Sequence, residues 1–247
     1  MSLRPALVGL TGAMLWAQQT PPEMVRKSRW GWQTYFEIGY NRFLGIPETL
    51  QGSLRGAGSI KVNFATLPFF RLGPFYMGAG LGLTIREVRF AKIVRLFSTP
   101  DNKLGYLVEN LPSSVMAKSK LQLGYLRVPV ELGLLKGAFN FALYGFGELL
   151  LWSKHKRKYA QNGELARFIS YGNDVVHTDI LQYGLGARIG YRSIGLFASY
   201  NLSPLWSGGR GPANVHPLQV GIYFFGYTTP GSSVSPVHST SFSASAL

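Results

Sequence analysis

Ser170, Asp174, His177 and Asp179 lie close together in the chain, and they are the residue types from which a hydrolase assembles a nucleophile, a general base and an orienting acid. At a membrane surface such a group would modify lipid. Against that reading, alternating strand geometry does not of itself bring these side chains together, and the chain has neither a nucleophile elbow nor a phosphate-binding loop. The four histidines, His155, His177, His216 and His238, keep no metal-ligand spacing, and there is no cysteine. Thiol catalysis, disulfides and thiolate-held metals are excluded, and no cofactor or metal is expected.

Two other groups of charge carry more information. Glu37, Lys61, Arg127, Glu131, Glu148 and Arg188 share the polar parity of segments whose other parity is apolar. In a closed sheet of about eight strands the interior is just wide enough for side chains to fill. Three acids and three bases there predict a paired network that plugs the lumen, with a gated ion or proton path as the alternative. The second group is basic: Arg89, Lys92 and Arg95 in one long connection, and Lys154, Lys156, Arg157 and Lys158 beside His155 in another. These connections hold 11 of the 25 Lys and Arg residues. They are expected to form loops that meet the phosphates of outer-membrane lipid and lipopolysaccharide, or else plain solvated loops. Basicity would also suit nucleic acid, but no recognition module for it is present.

The elements that must position these residues follow from a period of two. Trp32, Thr34, Phe36, Ile38 and Tyr40 alternate with Gln33, Tyr35, Glu37, Gly39 and Asn41, and Phe75, Met77, Ala79, Leu81, Leu83 and Ile85 alternate with Tyr76, Gly78, Gly80, Gly82 and Thr84. Eight such segments occur, an even number as an up-and-down barrel needs. Short links near Gly73, Gly137 and Arg192 alternate with long ones over 44–58, 88–120, 154–173 and 203–216, the asymmetry of an outer-membrane barrel with its short turns in the periplasm. A soluble barrel would point its apolar parity inward and its charges outward. Residues 90–97 read as an interfacial helix or as a continuation of the third strand. Trp30, Trp32, Tyr40, Phe69, Phe70, Trp152, Tyr191, Trp206 and Tyr227 fall near strand ends, which predicts aromatic girdles.

The 247 residues carry 25 Lys and Arg against 11 Asp and Glu, only 15% charged in all, with 30 Gly and 14% aromatics. That composition is not one of a disordered chain. No apolar run approaches the roughly 18 residues of a spanning helix. Residues 1–17, with Arg4 before an apolar run ending at Trp16-Ala17, read as a signal peptide. Residues 18–29 then form a periplasmic segment, 30–227 the barrel, and 228–247 a Ser-, Thr- and Pro-rich disordered tail.

Tyr125-Leu126-Arg127-Val128-Pro129-Val130-Glu131-Leu132, Tyr183-Gly184-Leu185-Gly186-Ala187, Tyr200-Asn201-Leu202-Ser203-Pro204-Leu205 and Gly221-Ile222-Tyr223-Phe224 resemble the PorT-like outer-membrane β-barrel family of Bacteroidetes-type bacteria. The resemblance covers most of the mature chain through short motifs. It implies a small eight-stranded barrel in a Gram-negative cell envelope and, for some members, an association with type IX secretion. It carries over no catalytic residue. Pro129 within the first motif reads as structural, because a proline cannot donate to a ladder and marks a bulge or strand end.

The expectation is therefore an all-β, eight-stranded antiparallel up-and-down transmembrane barrel of the cell outer membrane. Its function is expected to be non-enzymatic, structural or accessory to envelope assembly or secretion, with envelope or secretion-system proteins as partners. A narrow channel or ligand-binding barrel and a lipid-modifying enzyme are the alternatives.

Overall fold

The computed structural model describes residues 29–50, 53–109, 116–161, 164–172, 176–206, 210–211 and 214–228. The expected signal peptide, the N-terminal segment up to residue 28 and the tail from residue 229 lie outside the described residues.

Twelve strands are formed: β1 (Trp30–Leu44), β2 (Leu54–Leu72), β3 (Phe75–Ala79), β4 (Leu81–Phe90), β5 (Ile93–Ser98), β6 (Leu104–Glu109), β7 (Met116–Lys136), β8 (Phe139–Gln161), β9 (Glu164–Tyr171), β10 (Leu181–Tyr191), β11 (Ile194–Asn201) and β12 (His216–Thr228). Each sheet neighbour is antiparallel, and the order β1, β2, β3 with β4, β7, β8, β10, β11, β12 returns to β1. With β3 and β4 counted as one interrupted strand, this is a closed barrel of eight. Closure leaves the ring no edge on which another chain could add a strand.

The interruption has a cause in the facing strand. Gly80 stands opposite Pro129 of β7, between the pairs Ala79 with Val130 and Gly82 with Arg127. Gly80 N–H donates to Pro129 O at 3.0 Å. The reciprocal bond needs a proline N–H that does not exist, so the ladder skips a step and β3 separates from β4. Gly80 is also pressed against β2, where a Cβ would lie 2.1 Å from Thr66 O and 2.5 Å from Leu67 Cβ.

Each of the three short turns places its first residue in the left-handed region: Gly73 at φ 61°, Gly137 at φ 63° and Arg192 at φ 56°. Glycine adopts this freely, whereas Arg192 does so against a Cβ clash.

The outer face carries Trp32, Ile38, Phe64, Leu81, Leu83, Ile85, Val130, Leu143, Leu185, Leu196 and Val220, all exposed. Inside there are three tiers. Near the short turns, Phe69, Tyr76, Leu135, Tyr223, Phe225 and Tyr227 pack together, with Tyr223 and Phe225 stacked at 4.8 Å. The middle tier is charged. Near the long connections, Phe43, Phe90, Val94, Leu121, Leu123, Val176, Leu205, Trp206 and Val215 form an apolar cap.

Several expectations are corrected here. The segments taken as long loops at 88–120 and 154–173 are largely strand: β4, β7 and β8 continue past the barrel, β9 pairs with the end of β8, and β5 with β6 makes a separate hairpin over 93–109. Phe90 therefore ends the continued third strand, while Ile93–Ser98 form the separate strand β5 and no interfacial helix. Of the expected girdle residues, Phe69 and Trp206 are 1% exposed and Tyr227 9%, so these three belong to the interior. Trp30, Trp32, Tyr40, Trp152 and Tyr191 are exposed on the outer face. Trp30 packs on Phe70, and Phe139 on Tyr191, each pair 5.0 Å between centroids, at the short-turn rim.

Candidate functional site

The middle tier brings together all six charges picked out by strand parity and adds a seventh, Arg86. Arg127 of β7 stands directly opposite Glu148 of β8, with Nη1 2.5 Å from Glu148 Oε1. Lys61 Nζ from β2 lies 2.7 Å from the same oxygen, and Arg86 Nη2 from β4 lies 3.0 Å from Oε2. Three cations thus converge on one carboxylate. A second cluster centres on Arg188 of β10, whose Nε donates to Glu37 Oε1 at 2.7 Å and whose Nη1 pairs with Glu131. The Arg188 guanidinium also lies 3.8 Å from the Tyr35 ring centroid and 4.0 Å from that of Tyr144, a geometry in which ring quadrupoles stabilise a cation.

The clusters are joined. Asn63 Nδ2 donates to Glu37 Oε2 at 2.6 Å, and Thr84 Oγ1 lies 2.8 Å from Asn63 Oδ1 and 3.2 Å from Glu148 Oε1. Arg86 reaches Gln182 on β10, which accepts from Asn201 Nδ2 of β11 at 3.0 Å. Tyr76 donates to Glu131 from below.

Glu37, Arg86, Arg127 and Glu148 are 0% exposed, so no space the size of a water molecule adjoins them. The described interior charges number four bases (Lys61, Arg86, Arg127, Arg188) and three acids (Glu37, Glu131, Glu148), not the balanced set expected. Arg86 falls on the inward parity that begins at Tyr76, one step beyond the apolar alternation, and extending the period through Thr84 finds it.

The basic residues are sorted by register. Because directly opposed residues share a face, Arg89, Lys120 and Lys156 form one row across β4, β7 and β8. Lys118, Lys158 and Arg167 form another across β7, β8 and β9, and Gln122, Lys154 and Tyr171 a third. The β8 register slips opposite Gly124 and Tyr125, leaving Leu151 as an extra residue. The slip moves Lys154, Lys156 and Lys158 to the outer face. Arg157 points the other way, within 3.7 Å of Glu109 on β6. Lys92 lies between β4 and β5, and Arg95 is exposed on β5. Neither Lys92, Arg95 nor Arg157 belongs to the rows.

The serine and histidine grouping does not assemble as its spacing suggests. His177 Nε2 lies 3.1 Å from Ser98 Oγ on β5, not near Ser170, which stands opposite His155 across β8 and β9. Asp174 lies outside the described residues. His155 is buried beneath the hairpin, its Nε2 3.2 Å from Ser119 Oγ. Burial, reinforced by nearby Arg157, pushes its pKa down to about 4. Among the described residues no group of His, Asp and Glu could hold a metal ion.

Fold and site together define a class: a closed eight-stranded barrel with an apolar exterior and a charged, filled lumen. No protein family and no curated protein matches the chain. Among solved structures it is similar to Ail, the attachment invasion locus protein of Yersinia pestis, at 12% identity and a TM-score of 0.34 over 79% of this chain and 97% of that one. The same protein in complex with the heparin analogue sucrose octasulfate gives 11% and 0.35 over 80% and 99%. A mutant of the Rh. blastica porin gives 12% and 0.16 over 79% and 99%. Likenesses this low say nothing of what the chain binds, and the barrel stands on its own hydrogen-bond register.

Proposed function

We propose that the protein is a non-enzymatic outer-membrane barrel that serves as a structural or accessory component of the cell envelope, with its short turns in the periplasm. The observation that carries the membrane reading is the inversion of the usual order: apolar side chains face outward around the ring, while seven ions are shielded inside. In water this arrangement would expose a large continuous apolar surface, whereas in a bilayer the closed ring keeps its backbone ladders paired away from lipid and hides the lumen charges.

Shielded ions between two packed tiers also favour a plug over a channel, because conduction requires a hydrated path. The PorT-like motifs point to envelope assembly or secretion as the setting, with protein partners met by the segments outside the membrane.

Heat modifiability tests the reading. Detergent extracts of the outer-membrane fraction, run without boiling, should migrate faster than boiled ones, since the closed barrel stays compact in detergent. Recovery from the soluble periplasm with no shift would defeat it.

A further inference from the structure

The outer face of β4, β7, β8 and β9 is built against itself. Row by row it sets Arg89 beside Lys120 and Lys156, and Lys118 beside Lys158 and Arg167. Like charges directly opposite on a sheet are destabilising. Among the described residues the ion pairs on this face are Glu87 with Arg89 at 2.6 Å and Glu87 with Lys120 at 2.6 Å, and Gln122 Nε2 donates to the same carboxylate at 2.9 Å. Glu87 is saturated by its neighbours. Lys154 lies over the Tyr171 ring at 5.0 Å, but Lys118, Lys156, Lys158 and Arg167 have no ion pair among the described residues, and slight desolvation together with repulsion from Arg167, Lys158, Lys120 and Lys154 lowers the pKa of Lys156.

Position supplies the second observation. On β4 the outward apolar run ends at Ile85, and the next outward residues are Glu87 and Arg89. At about 3.3 Å rise per residue the Glu87, Arg89 and Lys118 rows lie about 7, 13 and 20 Å beyond the last apolar side chain along the strand. A headgroup layer is about 5–8 Å thick on each side of the hydrocarbon, and strand tilt shortens the height further. Lysine and arginine stems reach several ångströms back toward the belt. A cleft of 440 Å³ opens here, lined by Arg89, Lys118, Lys120, Lys156 and Lys158 with Glu87 and Phe90 among its walls.

We propose that this cleft binds the phosphates of the anionic lipid headgroups in the leaflet surrounding the long-connection end of the barrel. The inference rests on the membrane reading above. Phosphate is recognised by converging Lys and Arg donors, and the cleft presents five of them, Arg89, Lys118, Lys120, Lys156 and Lys158. Binding neutralises the repulsion built into the sheet, so the ligand completes the fold of the strand extensions.

The test uses the full chain in phosphatidylcholine nanodiscs, titrated with bis-phosphorylated lipid A, with dephosphorylated lipid A and with soluble sucrose octasulfate. Wild type should bind the phosphorylated lipid and not the dephosphorylated one. The double variant Lys156→Gln with Lys158→Gln, which leaves the Glu87 pairs intact, should bind at least tenfold more weakly, and Lys136→Gln, at the opposite rim, should bind as wild type does. Without lipid A the double variant should unfold at a higher temperature than wild type, because opposed charges are gone, and added lipid A should narrow or reverse that order. Equal binding by wild type and double variant, or by both lipids, overturns the proposal. Binding of sucrose octasulfate without lipid A overturns the lipid source and assigns the cleft to a soluble polyanion. The unboiled gel shift of each variant keeps a failed barrel apart from a failed site.

Discussion

Glu148 is the residue on which the interior most depends, because Lys61, Arg86 and Arg127 all converge on it. Removing one partner of a buried ion pair leaves the other uncompensated, at a cost of about 3–5 kcal/mol. Glu148→Ala should therefore destabilise the barrel by about that much, read as a shift of the unfolding midpoint in urea and detergent. His155 makes a separate prediction outside the membrane belt. Folded, it titrates near 4, whereas an unfolded histidine titrates near 6.5. Between those values the unfolded chain binds the extra proton, so this contribution is complete above pH 6.5, declines as pH falls toward 4 and is flat below. Thermal midpoints of wild type against His155→Gln should show that difference. The inward ions were legible because glycine and amides share their parity. Arg86 sits where the outward apolar pattern stops at Ile85, and alternation separates Arg157 from Lys156 and Lys158 while the slip at Leu151, which no residue type announces, decides which of them face outward.

Among the strands, the break between β3 and β4 shows a missing N–H shaping a neighbour. Gly80 accommodates that break by lying flush against β2, so Gly80→Ala forces its Cβ into Thr66 O and Leu67. Overpacking of this kind costs about 1–3 kcal/mol, and the variant should lose that much in denaturant titration while keeping its strand content by circular dichroism. Pro129 was readable as a ladder fault from its type alone. The strand extensions were not, since above the belt both faces of a strand meet water or protein and the two-residue contrast disappears. Charged runs such as Lys154 to Lys158 then look like loops even though every residue is paired to β7.

At the scale of the whole molecule, the apolar exterior sets the cost of a charge by depth. Leu196 is 61% exposed on the outer face of β11, flanked by Ile189 and Ile222, and Leu196→Arg should destabilise the folded barrel by about 2–4 kcal/mol, the cost of an arginine facing the hydrocarbon. Refolding into vesicles of phosphatidylcholine, followed by unboiled gel mobility across a urea series, measures that loss. The ring and its even strand count were legible as a whole because membrane and lumen impose opposite chemistry on alternate residues. The hairpin of β5 and β6 obeys neither solvent and escaped that logic. The continuation of β7 and β8 past the ring with β9 alongside, while β10 begins only opposite Leu149 of β8 and β11 ends at Asn201, gives the barrel a front and a back. A neighbour drifting in the plane of the membrane meets a raised wall from one direction and a low rim from the other, so lateral encounters carry a compass bearing that a symmetric cylinder could not give them.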